Sequence, residues 1–187
     1  MNVILLGPPG SGKTTQAQIL ANRLGGCSIA TGDLLGDAVR SDTELGRKAM
    51  EYMDRGSMVP DEIILSLVKE QRAVPEAVAG VVLDGFPRTV RQAQAVQKML
   101  AAEGERIKAA LLLDVPEEEL VRRRLAKASA EERSDEDPAA IQQRLAAYRS
   151  SNAPLVGYYR ELGVLKIVSG TGAVEDVAEG IKRAIGG

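Results

Sequence analysis

Residues 7–15 read Gly-Pro-Pro-Gly-Ser-Gly-Lys-Thr-Thr, which satisfies the pattern G-x-x-x-x-G-K-[ST]. A short apolar run at 3–6 precedes this stretch, and apolar residues recur at helical spacing from 17 to 24 after it. In a strand–loop–helix unit the glycines let backbone N–H groups point at phosphate oxygens, and the helix amino end adds positive partial charge. We therefore predict a phosphate-binding loop in which Lys13 reaches the outer phosphates and the Thr14 hydroxyl faces Mg²⁺. The predicted phosphate contacts are Gly10, Ser11, Gly12, Lys13, Thr14 and Thr15.

The composition is that of a compact soluble protein and excludes several kinds of chemistry. The 187 residues suit one core domain with insertions, and 24 basic against 26 acidic side chains give a net charge of −2, which argues against nucleic acid as the main partner. The chain has no His and a single Cys, Cys27, so a His-dependent hydrolase triad, a four-thiolate zinc site and an intramolecular disulfide are excluded within it. Because there is no basic-then-apolar leader and no apolar run near the ~20 residues of a membrane span, we expect a cytoplasmic protein.

Strand-like and helix-like stretches alternate along the chain. Helical patterns separate the strand candidates, and two of these patterns begin with proline and acidic residues, at 60–62 and 116–119. Because strands separated by helices pair in parallel through crossovers, we predict an α/β fold with a five-stranded parallel sheet covered by helices on both faces. The strand candidates are apolar, as is typical of strands covered on both faces, and run over 2–6, 27–30, 81–84, 109–115 and 164–168.

A second informative stretch, 83–89, reads Leu-Asp-Gly-Phe-Pro-Arg-Thr. An Asp at the carboxyl end of a parallel strand lies beside the phosphate loop, so we expect Asp84 to hold Mg²⁺ or its waters. Arg88 is expected to lie across the same crevice and bridge two phosphate groups, and Gln92, one turn into the next helix, to present its amide to a base edge. A turn-capping aspartate and a surface arginine are the alternative interpretations of Asp84 and Arg88.

Together with Ala-Thr-Gly-Asp-Leu-Leu at 30–35, these stretches resemble the adenylate kinases, within the broader group of nucleoside monophosphate kinases. The similarity extends from Val3 nearly to the end of the chain. It includes Gly-Ser-Met-Val-Pro at 56–60 and Pro-Leu-Val-Gly-Tyr-Tyr at 154–159. The Asp-Gly-Phe-Pro-Arg-Thr run followed by a glutamine is highly specific, whereas the phosphate loop alone is not.

The resemblance implies one phosphate-loop kinase domain over 1–187 with two insertions. A small helical AMP-binding insertion is expected at 30–59, and a short lid over ATP, without the zinc of longer lids, at 126–138. Catalytic roles are implied for Lys13, Asp84, Arg88, Arg123, Arg133 and Arg144. ATP is expected to contact the phosphate loop together with Arg123, Lys127 and Gly172. AMP is expected to contact Thr31, Gly32, Arg40, Val59, Gly85, Arg88, Gln92, Arg133 and Arg144.

Three positions depart from the family pattern. Gly36 stands where an arginine usually holds the AMP phosphate, so we expect Arg40, four residues on and on the same helical face, to reach back one turn. Lys127 replaces a lid arginine, which keeps the charge but loses the bidentate fork. Thr14 replaces the usual glycine and brings a hydroxyl close to Mg²⁺.

The expected reaction is reversible transfer of the γ-phosphoryl group of ATP to AMP, giving two ADP, with Mg²⁺ as the cofactor. Such a transfer needs cations and alignment rather than a general base, so the absence of His is harmless. We expect a monomer whose partners are ATP, AMP and ADP, with no role for nucleic acid or a membrane. A kinase for UMP or CMP is one alternative, against which Gln92 favours adenine. A non-catalytic nucleotide-binding module is the other, motivated only by Gly36.

Overall fold

A five-stranded parallel sheet forms the centre of the protein in a computed structural model, which describes residues 1–130 and 137–186. The strand order is β2-β3-β1-β4-β5, and every neighbouring pair is parallel. The predicted α/β fold with five parallel strands is therefore confirmed. The strands are β1 (Asn2–Leu6), β2 (Cys27–Ala30), β3 (Val81–Asp84), β4 (Ile107–Asp114) and β5 (Leu165–Ser169).

Helices connect the strands, and the two whose starts the sequence predicts from proline and acidic residues begin there. α4 follows Pro60 directly and α6 follows Pro116, and both carry acidic residues in the first turn, where the helix dipole favours negative charge. A short 3-10 turn covers Pro75–Ala77. The helices are α1 (Lys13–Leu24), α2 (Thr31–Arg40), α3 (Glu44–Met53), α4 (Asp61–Arg72), α5 (Val90–Ala102), α6 (Glu117–Ala130), α7 (Pro138–Glu161) and α8 (Val174–Ile185).

The two faces of the sheet bury separate apolar clusters. Successive side chains of a strand point to opposite faces, so Ile4 belongs to one cluster and Leu5 to the other. The Ile4 cluster is completed by helices α4, α5 and α7, and the Leu5 cluster by α1 and α8. Helices therefore cover both faces of the sheet. A ligand site is then expected at the ends of the strands, where polar loops follow them.

Two strands differ from the predicted boundaries. β4 begins at Ile107 rather than 109, because its register against β1 shifts between Asn2 and Val3 and the exposed Lys108 hides the strand start from a search for apolar runs. β5 covers Leu165–Ser169 rather than 164–168. It pairs only with β4 at the sheet edge, and Ile167 is 61% exposed. The expectation that every strand is covered on both faces is therefore wrong for β5.

The two predicted insertions stay a prediction, and their ranges include the following elements. α2 and α3 lie between β2 and α4 and pack directly on each other, since a Cβ placed on Gly46 would lie 2.0 Å from the Ala38 carbonyl oxygen. These helices occupy most of the predicted 30–59 insertion. The predicted lid at 126–138 begins inside α6 and ends at the first residue of α7, and residues 131–136 lie outside the described part of the chain. Within the described ranges, no helix combines the length and apolarity needed to cross a membrane.

The Tyr159 side chain leads to a prediction about stability. Its ring is fully buried, its hydroxyl has no hydrogen-bond partner among residues 1–130 and 137–186, and burial raises the pKa of that hydroxyl. Because an unpaired buried hydroxyl costs free energy, Tyr159→Phe should leave the free energy of unfolding unchanged or raise it by about 1 kcal/mol in urea denaturation. The control is Tyr158→Phe, which removes a hydroxyl that donates to Gln97. If Tyr159→Phe lowers the free energy of unfolding by more than about 1 kcal/mol, the Tyr159 hydroxyl makes a stabilising hydrogen bond and the prediction is wrong.

Candidate active site

The strand register brings three loops together at one edge of the sheet. Leu5 of β1 and Ala30 of β2 are both the register partners of Asp84 in β3. The segments that follow these strands therefore begin side by side at the carboxyl edge, where open parallel sheets bind ligands. They are the phosphate loop, the Gly85 turn and the start of α2.

The phosphate loop joins β1 to the amino end of α1. Gly12 caps α1 with a left-handed φ of 89°, a conformation that favours glycine. The Ser11 hydroxyl is buried with no hydrogen-bond partner among the described residues, and it packs over Gly7, where a Cβ would lie 2.6 Å from it. A Cβ on Gly10 would lie 3.2 Å from Cγ of Arg124, so α6 packs against this side of the loop.

Lys13 lies across its own loop. Its Nζ donates to the carbonyl oxygens of Gly7 at 2.7 Å and Pro8 at 3.0 Å. Burial lowers the pKa of the Lys13 ammonium below its usual range, the Asp84 carboxylate opposes this shift, and the charge of Arg88 adds to it. The ammonium is therefore partly desolvated and lies in the electrostatic field of Asp84 and Arg88, the two groups that the sequence predicts around it.

Thr14 and Asp84 form a direct pair. The Thr14 hydroxyl donates to Oδ2 of Asp84 at 2.6 Å, and Asp84 is only 6% exposed. Thr15, the next residue of α1, is exposed. A hydroxyl and a carboxylate are thus held together beside the phosphate loop, and both offer oxygen atoms.

Arg88 is positioned by the turn that follows β3. Gly85 has a φ of 74°, the Phe86–Pro87 peptide bond is cis, and Thr89 caps α5 by accepting from the N–H of Gln92. The Arg88 side chain is exposed and folds back so that its Nε donates to the Gly85 carbonyl at 2.8 Å. This hydrogen bond to Gly85 fixes the orientation of the guanidinium and leaves its two terminal NH₂ groups available to other partners.

Lys13 and Arg88 line one cavity of about 280 Å³. This cavity lies between the phosphate loop, the Gly85 turn and α7. It is the place where the structure brings the predicted donor and acceptor sides together. Its lining consists of Leu5, Leu6, Gly7, Pro9, Lys13, Gly85, Pro87, Arg88, Tyr148, Ser151 and Asn152.

Among the predicted acceptor residues on the insertion, Thr31 contacts this edge directly. Thr31 is the first residue of α2, is buried, and its hydroxyl donates to the Gly85 carbonyl at 3.5 Å. Gly32 follows it in α2 and is exposed, and Val59 lies half-buried ahead of α4. Arg40 ion-pairs with Asp37 and is 71% exposed.

The expected reach of Arg40 toward Gly36 is confirmed by the structure. A Cβ on Gly36 would lie 3.1 Å from Nη1 of Arg40, so the guanidinium covers the place that a side chain at position 36 would occupy. Whether Arg40 contacts AMP stays a prediction.

Arg123 is held by hydrogen bonds between α6 and the loop that follows β5. Its Nε donates to Glu119 at 2.6 Å and its Nη2 to the Gly170 carbonyl at 3.0 Å. Hydrogen bonds from Arg122 and Arg123 lower the pKa of Glu119 to about 2. The carboxylate therefore stays ionised throughout the neutral range and keeps Arg123 beside the loop after β5, which contains Gly172.

The remaining predicted cations are on α6 and α7. Lys127 and Arg144 are exposed on these helices, each has an interaction within the protein, and neither lines the 280 Å³ cavity. Arg133 lies outside the described residues. The sequence prediction that these cations gather around the transferred group stays a prediction.

Three residues of α7 that the sequence analysis did not select, Tyr148, Ser151 and Asn152, line the cavity. Asn152 donates from Nδ2 to the Tyr148 hydroxyl at 2.7 Å, and this hydroxyl is also hydrogen bonded to the Gly7 backbone. Burial raises the pKa of Tyr148 to about 12, and the contact with Gly7 acts in the opposite direction. The available signal was the i,i+4 spacing of a tyrosine and an asparagine, which places both on one helical face.

Comparison with known proteins identifies the family. The family model described as "Adenylate kinase" matches residues 5–164. The chain belongs to the adenylate kinase family. The resemblance noted from the sequence is thus confirmed.

The curated relatives of this adenylate kinase family member align over almost their whole length. The adenylate kinase of a Thermus thermophilus strain is 47% identical over 184 residues, which cover 98% of this chain and 96% of the relative. That of Thermobifida fusca is 44% identical over 185 residues, with 99% and 98% covered. That of Brucella melitensis is 42% identical over 191 residues, again with 99% and 98% covered. The chain therefore has the extent of these relatives, in keeping with the predicted short-lid form.

Proposed function

We propose that this chain transfers the γ-phosphoryl group of ATP to AMP, reversibly giving two ADP. One observation carries the proposal: the Lys13 ammonium and the Arg88 guanidinium line the same 280 Å³ cavity at the carboxyl ends of β1 and β3. Membership of the adenylate kinase family supports it. The cavity is therefore assigned to the phosphoryl group in transit between the two nucleotides.

The chemistry that this cavity has to perform is electrostatic. Transfer passes through a loose transition state whose negative charge spreads over the phosphoryl oxygens, so fixed cations and alignment provide most of the rate enhancement. Lys13 and Arg88, which both line the cavity, would supply this positive charge. The attacking oxygen of a monophosphate is already ionised, and no general base is needed.

On the donor side, the ATP phosphates are assigned to the loop at 7–15. Backbone N–H groups of Gly10, Ser11 and Gly12 precede the amino end of α1, where the dipole favours anions. The buried Ser11 hydroxyl, which has no hydrogen-bond partner in the described part of the chain, is a further donor inside this loop. Thr15, Lys127, Arg123 and Gly172 complete the assigned ATP contacts.

On the acceptor side, AMP is assigned to the surface between α2, the Gly85 turn and α5. Its phosphate would face Arg88 and Arg40, and its base would face Gln92. The catalytic roles of Arg133 and Arg144, and closure of the regions 30–59 and 126–138 over the nucleotides, belong to the same proposal. Closure would keep water away from the transferring group. The remaining assigned contacts are Thr31, Gly32, Val59 and Gly85.

Mg²⁺ fits the pair formed by Thr14 and Asp84. Mg²⁺ prefers oxygen ligands and keeps several waters, and it is usually bound through one or two carboxylates together with substrate phosphates. The Thr14 hydroxyl and the Asp84 carboxylate, 2.6 Å apart, match this requirement. In the described part of the chain no cluster of three or more His, Cys, Asp or Glu residues exists as a rival metal site. When bound, the ion would neutralise phosphate charge, while Thr14 and Asp84 would hold it or its waters.

The same proposal includes a cytoplasmic monomer whose partners are ATP, AMP and ADP. The net charge of −2 supports the absence of a nucleic-acid role.

The test is an ADP-formation assay with ATP, Mg²⁺ and each of AMP, GMP, CMP and UMP. We expect turnover with AMP to exceed that with the other acceptors. Preference for UMP or CMP would favour the alternative kinase, and nucleotide binding without turnover would favour a non-catalytic module.

The departure at Gly36 gives a prediction for the acceptor phosphate. Because Arg40 covers the Gly36 position, Arg40→Ala should raise KM for AMP about tenfold through loss of a charge-assisted contact, with KM for ATP unchanged. Gly36→Arg should lower KM for AMP, because a new side chain meets only the mobile end of Arg40. The measurement is steady-state kinetics with each nucleotide varied.

A double variant and a control sharpen this experiment. In the Gly36→Arg background, Arg40→Ala should have almost no effect, because the new arginine replaces the contact. Arg47→Ala, which removes an exposed arginine paired with Asp42, should not change KM for AMP. If Gly36→Arg and Arg40→Ala both leave AMP kinetics untouched, other residues hold the acceptor phosphate.

A further inference from the structure

The side-chain amide of Gln92 is held at both ends. Its Oε1 accepts from the Arg88 backbone N–H at 2.7 Å, and its Nε2 donates to Oδ1 of Asp61 at 2.6 Å. Gln92 is 5% exposed. Asp61 is the first residue of α4, so this contact joins α4 to α5 beside the Gly85 turn.

These two partners permit only one orientation of the amide. A backbone N–H can only donate and a carboxylate can only accept. Turning the amide by 180° would set the Gln92 NH₂ against the Arg88 N–H and its oxygen against the Asp61 carboxylate, which leaves buried polar atoms unpaired and repelling. The amide is therefore fixed by chemistry as well as by packing.

An amide of fixed orientation can pair with only one arrangement of donor and acceptor on the edge of a base. One N–H and one oxygen lone pair of Gln92 remain unused after the two contacts, because an amide offers two donors and two acceptor sites. Such a pair matches a base that offers a ring-nitrogen acceptor beside an amino group, as adenine and cytosine do. It opposes a base that offers a ring N–H beside a carbonyl oxygen, as hypoxanthine, guanine and uracil do.

We propose that Asp61 is a positioning residue that makes the acceptor site select 6-aminopurine over 6-oxopurine monophosphates by preventing reversal of the Gln92 amide. The inference rests on the proposed function for the location of the acceptor base, and adds a residue and a rule of selectivity to it. The carboxylate divides its two oxygens between two partners: Oδ1 holds Gln92, and Oδ2 lies 3.4 Å from Nε of Arg91. Arg91 is 76% exposed.

The test compares AMP with inosine monophosphate, which differs from AMP only at this edge of the base. In Asp61→Ala the ratio of kcat/KM for AMP to that for inosine monophosphate should fall about tenfold, because only the Arg88 N–H then opposes reversal of the amide. KM for AMP should rise, while kcat at saturating AMP and KM for ATP should stay close to the parent values. Asp61→Asn keeps an oxygen that can accept from Gln92, but its own amide can also turn. Its ratio of kcat/KM values should therefore lie between those of the parent protein and of Asp61→Ala.

Arg91→Ala is the matched control, because it removes the other partner of Asp61 and leaves the contact with Gln92 in place. Its ratio should equal that of the parent protein. An unchanged ratio in folded Asp61→Ala overturns the inference, and so does a loss of AMP activity with the ratio preserved, which would indicate a purely structural role. If Asp61→Ala fails to fold, an unchanged ratio in Asp61→Asn overturns it.

Binding measurements separate this inference from the proposed function. If the parent protein forms no ADP, the proposed function fails, and the affinities of the same variants for AMP and inosine monophosphate, measured by calorimetry, test Asp61 independently. An affinity ratio that falls in Asp61→Ala but not in Arg91→Ala supports the inference. Equal ratios in all the variants overturn it.

Discussion

Lys13→Ala is expected to lower kcat at least about 100-fold while the protein remains folded. The Lys13 ammonium lies between the Gly7 and Pro8 carbonyls at the edge of the cavity that also contains Arg88. Burial lowers the pKa of this ammonium, and a phosphate in the cavity would favour its charged form and gain a strong, weakly screened interaction with it. Because that interaction grows as charge develops on the transferring group, the loss should fall on kcat more than on KM for ATP.

Two further variants test the geometry behind this expectation. Lys13→Arg keeps the charge but replaces a compact donor by a larger planar fork, so most of the activity should still be lost. Lys48→Ala removes an exposed lysine paired with Glu44 and should be silent. Thermal unfolding of each variant controls for folding. A kcat within a few-fold of the parent value in Lys13→Ala would refute the assignment of the phosphate loop.

Most of the sheet could be predicted from the sequence, because a short apolar run of residues marks a buried strand without reference to the rest of the chain. β1, β2 and β3 are short apolar runs whose observed ends coincide with the predicted ones. β4 and β5 were misplaced because their limits depend on a neighbour: the shifted register against Asn2 lengthens β4, and the edge position of β5 allows Lys166 and Ile167 to face outward. Strand limits that depend on the neighbouring strand cannot be predicted from the residues of the strand itself.

In the candidate site, too, some residues could be predicted from local sequence and others depend on contacts distant in the chain. Lys13, Asp84 and Arg88 stand in motifs that lie at or shortly after strand ends, and the structure brings them to one edge of the sheet. Tyr148 and Asp61 were not selected, because their roles depend on contacts with Gly7 and Gln92, which are distant in the chain. Sequence spacing thus predicts which groups reach a site, whereas the partners that orient those groups depend on how the helices pack.

The second large expected effect concerns Asp84. Asp84→Asn should lower kcat about 100-fold at a fixed Mg²⁺ concentration and raise the Mg²⁺ concentration needed for half-maximal rate. The substitution preserves size but removes the charge of a carboxylate that is 6% exposed and accepts from the Thr14 hydroxyl at 2.6 Å. An amide at this position offers one oxygen without charge, which is a poor ligand for a hard cation. Asp54→Asn, at an exposed position after α3, is the control and should leave the Mg²⁺ dependence unchanged.

Variants at Thr14 separate the carboxylate from the hydroxyl that it holds. Thr14→Ser keeps the donor and should behave like the parent, whereas Thr14→Val leaves Asp84 without this donor and should shift the Mg²⁺ dependence by about tenfold. Thr14→Gly restores the residue usual in the family and should cost less activity than Thr14→Val, although glycine in the first turn of α1 lowers stability by about 1 kcal/mol. Rates are measured as ADP formation across a Mg²⁺ titration. If Asp84→Asn retains both kcat and the Mg²⁺ midpoint, the ion is held elsewhere, and the bond between Thr14 and Asp84 then only fastens α1 to the end of β3.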